Sequence, residues 1–136
     1  MSAQARCTYE TIDGVTWYWP TNESPRSPKH RVPEFVRLLA PFDPVVWDRR
    51  RFELLRDWAY RFQAYTPAPK RVRGYYALPL LWHDTVIGWG NMTTRNGALD
   101  VALAYVTGRA PRDVAYRNAL AEELARLEEF LGRDRK

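Results

Sequence analysis

The carboxylates best placed to polarise a water molecule lie beside the densest positive charge in the chain. Asp43, Asp48 and Glu53 flank or follow the triplet Arg49-Arg50-Arg51. An acid side chain held against a scissile bond can polarise the attacking water, which is the chemistry these residue types would serve. Each also has a simpler role. Asp43, between Phe42 and Pro44, is placed to make a turn hydrogen bond. Asp48 precedes an expected helix and can accept from its free N–H groups, and Glu53 offsets the arginines around it. The simpler roles are favoured, and no catalytic residue is assigned. His83-Asp84 has the order of a polarised base but falls at an apparent strand turn, and His30 falls in a polar linker. The single cysteine, Cys7, cannot form an internal disulfide and has no Cys or His at ligand spacing, so neither a metal nor a cofactor is expected.

Charge offers a second chemistry, which is binding. The net charge is +5, and the surplus is one-sided: residues 1–74 carry thirteen Lys and Arg against eight Asp and Glu, whereas residues 75–136 carry eight of each. The clusters are Arg26-Lys29-Arg31, Arg49-Arg50-Arg51 and Lys70-Arg71-Arg73. A solvated surface accounts for such triplets in many proteins, but they also suit phosphates. The candidate phosphate contacts are Arg49, Arg50, Arg51, Lys70, Arg71 and Arg73; if they converge on one face, the expected partner is duplex DNA, bound weakly and without sequence preference. Pro67 and Pro69 stiffen the loop that carries the second triplet, which lowers the entropy lost on binding. Tyr75 or Tyr76 could lie beside a sugar or base, although an aromatic residue in a strand more often belongs to the core.

These residues need elements to hold them. The chain length fits one ordinary domain, and six Trp, eight Tyr and five Phe give it ample bulk to bury. No apolar run approaches the roughly 20 residues of a membrane span, and the first residues lack a signal-peptide pattern, so a cytoplasmic location without membrane attachment is expected. Asp13-Gly14, between aromatic and β-branched runs, predicts a hairpin over 1–20, and the proline-rich stretch 21–32 reads as a linker to the main body, 33–136. A helix is expected from Asp48, with Phe52, Leu55 and Trp58 on one face, although arginines in its first turn oppose the helix dipole. Period-two alternation over Tyr60–Tyr65 predicts a half-buried strand. Further strands are predicted over Gly74–Trp82, Thr85–Met92 and, after the turn signal Asn96-Gly97, Leu99–Val106, giving an antiparallel meander. Pro111 and Asp113 open a final helix whose stripe is Tyr116, Leu120, Leu124, Leu127 and Leu131, with Gly132 as its stop. The fold class is therefore α+β: a small antiparallel, partly barrel-like sheet packed by a C-terminal helix and preceded by an N-terminal β-hairpin.

The run Val36-Arg37-Leu38-Leu39-Ala40-Pro41-Phe42-Asp43-Pro44-Val45-Val46-Trp47-Asp48-Arg49-Arg50-Arg51 resembles a segment of the YcaQ/AlkZ-like crosslink-repair DNA glycosylases. Tyr65-Thr66-Pro67-Ala68-Pro69-Lys70-Arg71, then Gly74-Tyr75-Tyr76-Ala77-Leu78-Pro79, then Phe130-Leu131-Gly132 continue the likeness in order, over roughly residues 33 to 132. The resemblance implies winged-helix proteins scaffolded by a C-terminal β-rich domain, with a Gln-apolar-Asp or Gln-apolar-Gln catalytic motif near the N-terminus. This chain corresponds to the C-terminal domain, with its hairpin in the place of a wing. Its two glutamines, Gln4 and Gln63, stand in Gln4-Ala5-Arg6 and Gln63-Ala64-Tyr65, neither of which matches that motif.

Two functions follow as expectations. One is a DNA-binding and scaffolding module of an interstrand-crosslink glycosylase, inactive alone, for which a separately encoded winged-helix N-terminal part is a candidate partner. The other is a protein-interaction module without direct DNA contact, docking through exposed aromatics that include Trp17 and Trp19.

Overall fold

The computed structural model describes residues 6–133. The remainder of the expected segments 1–20 and 33–136, including Gln4, lies outside the described residues. Two compact units divide between Val32 and Pro33.

In the first unit, β1 (Cys7–Ile12) and β2 (Val15–Pro20) pair antiparallel in a register that runs from Ile12 opposite Val15 to Cys7 opposite Pro20. Asp13 and Gly14 both have positive φ, at 51° and 76°, the left-handed pair that a two-residue hairpin loop demands. One face carries the exposed Tyr9 and Tyr18, with ring centroids 6.0 Å apart. Trp17 and Trp19 are on the other face and half-buried, so they are not the exposed aromatics of this hairpin. The following linker has its own local structure. Lys29 pairs with Glu23, a 3₁₀ turn spans Pro28–His30, and the neighbouring Lys29 holds the Glu23 carboxyl below its usual range. His30 is drawn into that cluster, 3.6 Å from Glu23.

The second unit is a curled antiparallel sheet of four strands in sequence order: β3 (Val36–Leu38), β4 (Ala77–Trp82), β5 (Thr85–Arg95) and β6 (Ala98–Tyr105). The Asn96-Gly97 turn has the same positive-φ pair as the first hairpin, at 49° and 84°, and His83 at φ 54° makes the β4–β5 turn. The first strand of the sheet is thus Val36–Leu38, not Tyr60–Tyr65. Burial does alternate from Trp58 to Phe62, but no strand forms there. Ring contacts, rather than a backbone ladder, explain the alternation: Trp58 stacks on Tyr60 at 6.0 Å, Phe52 meets both edge-on, and Phe62 meets Tyr76 edge-on at 5.2 Å. The strand expected from Gly74 starts only at Ala77, because Tyr75 and Tyr76 are in a turn.

Residues 39–76 therefore form a long connection between neighbouring strands, and they cover a second core. Leu39, Val46, Phe52, Trp58 and Tyr60 pack there against Val86, Leu81 and Trp89 of the sheet. The connection contains the single turn α1 (Pro44–Trp47) and α2 (Arg49–Arg56). Phe52 of α2 is buried, whereas Leu55 is exposed and Trp58 lies past the helix end, where Asp57 turns the chain at φ 48°.

The other core holds Val36, Leu38, Leu78 and Leu80 under α3 (Val114–Arg133), whose Tyr116, Leu120, Leu124 and Leu127 supply the expected stripe. Asp113 opens α3 by accepting from the Tyr116 N–H at 2.6 Å. The helix runs through Gly132 instead of stopping there. One residue on this buried face was not anticipated: Glu123, two turns after Tyr116, is 0% exposed. Its Oε1 accepts from the Leu38 N–H at 3.0 Å and from Arg126 Nη2 at 2.9 Å, and its Oε2 from Arg126 Nε at 2.8 Å and Arg37 Nη1 at 3.3 Å. A carboxylate thus satisfies a donor of the short edge strand β3, which would otherwise be buried without a partner.

Candidate nucleic-acid interface

The segment from Pro41 to Trp47 is built to turn aromatic rings outwards. The Asp43 N–H donates to the Ala40 carbonyl at 3.0 Å, closing a turn with Phe42 at its tip. The Asp43 carboxylate then accepts from the Val45 N–H at 2.8 Å, and its backbone carbonyl accepts from Val46 and Trp47, each at 2.9 Å. Val46 anchors this turn in the core, being 2% exposed, which leaves Phe42 and Trp47 at 85% and 75% exposure. Asp48 next caps α2 through the Arg51 N–H at 3.0 Å. Both aspartates thus serve the backbone, as their positions suggested.

The basic loop is equally well determined. The side-chain oxygen of Gln63 accepts from the N–H groups of Val72 and Arg73, at 2.9 and 3.1 Å, so the second glutamine has a structural task. Thr66 N–H donates to the Gln63 carbonyl at 3.0 Å, Lys70 N–H to Pro67 at 2.9 Å, and Asn91 Nδ2 to the Arg73 carbonyl at 2.8 Å. Tyr65 stands out of this framework at 95% exposure, its ring edge-on to Phe62 at 6.4 Å.

The six basic candidates divide by what else they hold. Arg73 lies over Trp58 at 4.3 Å and over Trp89 at 5.5 Å, a cation–π seat that belongs to the second core. Arg71 donates from Nε to the Thr66 carbonyl at 2.7 Å and lies over Tyr75 at 4.8 Å. Arg51 folds back onto the Pro44 carbonyl, which together with the Asp48 cap answers the unfavourable dipole at the start of α2. Arg50 lines a small hollow with Glu53, Leu54 and Asp57, so it shares that surface with two acidic residues. Arg49 and Lys70 are exposed and hold no such internal contact.

Arg49 and Tyr65, which precedes the basic loop, border one feature. A hollow of ≈ 360 Å³ has Pro41, Phe42, Val46, Trp47 and Arg49 on one side and Tyr60, Phe62 and Tyr65 on the other. Arg71 of the loop is bonded to Thr66, next to Tyr65, so the arginine triplet and the loop are neighbours through Arg49 but not through Arg50. None of the lining residues is acidic. The Tyr60 hydroxyl donates to the Ala77 carbonyl at 3.0 Å, and burial, reinforced by Tyr76, pushes its pKa up to about 12. It is a neutral phenol at physiological pH. The arrangement offers flat apolar faces and one cation, which suits binding. Phe42, Trp47 and Tyr65 were not singled out from the sequence. Their signal was large aromatics close to prolines: Phe42 between Pro41 and Pro44, Trp47 at the end of the single turn that Pro44 opens, and Tyr65 just before Pro67.

His83 sits in its turn against Trp82, ring centroids 3.9 Å apart, with its N–H on the Phe35 carbonyl at 3.3 Å. Among the described residues no helix is long and apolar enough to cross a membrane. No solved structure matches the chain. A family model described as DNA glycosylase AlkZ-like matches residues 3–130.

Proposed function

Because the chain belongs to the AlkZ-like DNA glycosylase family, a setting of DNA repair, we propose that it is a DNA-binding and scaffolding module of a crosslink-unhooking glycosylase, without base-excision activity of its own. The observation that supports this reading is a surface hollow free of acidic lining residues, which is bordered by exposed Arg49 and by Tyr65, the residue that leads into the proline-stiffened loop of Lys70. Cations so placed meet phosphates and fix a protein on a duplex without reading bases. The hairpin β1–β2 takes the part of a winged-helix wing, and its partner is a winged-helix segment that bears the hydrolytic motif.

Binding should be weak, with dissociation constants of about 10⁻⁴–10⁻⁶ M at physiological salt. Each phosphate contact adds about 0.9 to the slope of log K against log salt, so the double variant R49A/K70A should be shallower by at most about two. Arg71 and Arg73 hold the loop and the core, so replacing them should disturb folding before it changes the slope. An unchanged slope in R49A/K70A, or no binding at low salt, would refute the phosphate reading. A second reading, docking of a protein partner without DNA contact, draws on the exposed rings of Phe42, Trp47 and Tyr65 rather than on Trp17 and Trp19. It predicts that these rings, and not Arg49 or Lys70, govern assembly.

A further inference from the structure

Three large aromatic side chains held almost wholly in solvent are costly to solubility and contribute little to the core. Phe42, Trp47 and Tyr65 are 85%, 75% and 95% exposed, and all three border the same hollow, whose only charged lining residue is Arg49. We propose that this hollow is a stacking site for one unpaired nucleotide of DNA, the base lying among the rings of Trp47, Tyr65 and Phe42 and the adjoining phosphate on Arg49. The inference rests on the DNA-binding reading and adds to it a second, different contact.

Charge, size and rigidity favour this occupant. The lining is aromatic with a single cation and no acid, which matches a π face next to an anion and repels nothing in either. A volume of ≈ 360 Å³ falls at the lower end of the roughly 300–1,000 Å³ typical of small-ligand sites, room enough for a nucleobase. The backbone that carries the rings is also fixed in advance. Trp47 ends the α1 turn, its backbone N–H donating to the Asp43 carbonyl at 2.9 Å. Tyr65 has an edge contact with Phe62 and belongs to a loop whose backbone N–H groups are tied to Gln63. The backbone therefore has little ordering entropy left to lose on binding. A fully paired duplex buries its base faces and, of the residues lining this hollow, could use only Arg49.

The test uses the full chain and a short labelled duplex, either completely paired or carrying a single unpaired adenine, with affinity read by fluorescence anisotropy at one low salt concentration. The unpaired form should bind more tightly by roughly 5- to 150-fold, the range expected for one base stacked on an aromatic side chain. W47A and Y65A should each remove most of that preference while leaving the paired duplex unaffected, and W47F should retain much of it. Both side chains are exposed, so unchanged thermal midpoints will show that the variants fold. Equal affinity for the two duplexes, or a preference that survives both variants, would overturn the stacking site and leave the phosphate reading standing. Failure to bind either duplex would overturn both. Self-association of the chain that is lost in W47A and Y65A, with DNA affinity untouched, would assign the hollow to a protein contact and likewise overturn the proposal.

Discussion

Glu123→Ala probes the joint between helix and sheet. In the folded chain the carboxylate has no exposure and accepts four hydrogen bonds, one of them from the Leu38 N–H on the outer edge of β3. Breaking a fully buried ion pair costs about 3–5 kcal/mol, because the abandoned partner has no water. Here the arginines are not so confined: the Arg37 and Arg126 side chains are 35% and 52% exposed and can rehydrate, so their share shrinks towards the ~0–1 kcal/mol of surface pairs. The Leu38 N–H cannot rehydrate without β3 lifting, and an orphaned buried donor costs about 1–3 kcal/mol. The expected loss is about 2–4 kcal/mol, a large part of the ~5–15 kcal/mol stability of an ordinary domain. Glu123→Gln, which keeps an acceptor for Leu38, should lose less, about 1–2 kcal/mol. With a urea m-value of about 1–3 kcal/mol/M, the alanine variant should unfold at least roughly 0.7 M earlier. Amide hydrogen exchange locates the effect, since Leu38 should lose protection in the alanine variant and keep most of it in the glutamine variant. An unchanged midpoint, or equal loss of Leu38 protection in both variants, would refute the idea that this one acceptor ties β3 to α3.

Alkali should destabilise the chain through Tyr60. Its folded pKa is raised to about 12 by burial, so the folded state keeps a proton that the unfolded state releases near pH 10. The stabilisation is then complete below about pH 10 and lost as pH rises through about 12, some 2–3 kcal/mol in all. Urea midpoints measured across that range should fall less steeply in Tyr60→Phe, which at neutral pH costs about 0.5–1.5 kcal/mol for the lost hydrogen bond. Gly88→Ala should prevent β5 and β6 from pairing, since a Cβ there would meet the Ala104 carbonyl oxygen at 2.0 Å and the Tyr105 Cα at 2.9 Å. Backbone cannot yield as a side chain can, so a cost above about 3 kcal/mol should appear as loss of the cooperative transition. Alkylated or crosslinked duplex incubated with the chain and treated with alkali should show no strand breaks. Breaks that vanish in Asp43→Asn would instead place an active site at a residue that here caps a turn.

Local chemistry explains what could be read without coordinates. Asp13-Gly14 and Asn96-Gly97 allow two-residue turns through positive φ, a property of those residues alone. The caps at Asp43, Asp48 and Asp113 follow because a short carboxylate reaches only the N–H groups just after it. The α3 stripe follows from the helical period, and the family likeness follows from ordered motifs. Readings that depended on what lies across the molecule fared differently. Alternation over Trp58–Phe62 reports burial on one side, but only the fold decides whether that side meets a paired strand or a cluster of rings; here it is rings, and the first strand of the sheet is Val36–Leu38. Glu123 was not anticipated as a buried residue, because its partner Leu38 is 85 residues away in sequence, beyond the reach of any local pattern. The arginines show the same division. Their number and clustering are written in the chain, but the folded structure places Arg73 on two tryptophans, Arg71 and Arg51 on carbonyls close by in sequence, and Arg49 on the wall of an aromatic hollow. A side chain's type states what it can bind, and only the packing around it determines whether that capacity is already used within the protein.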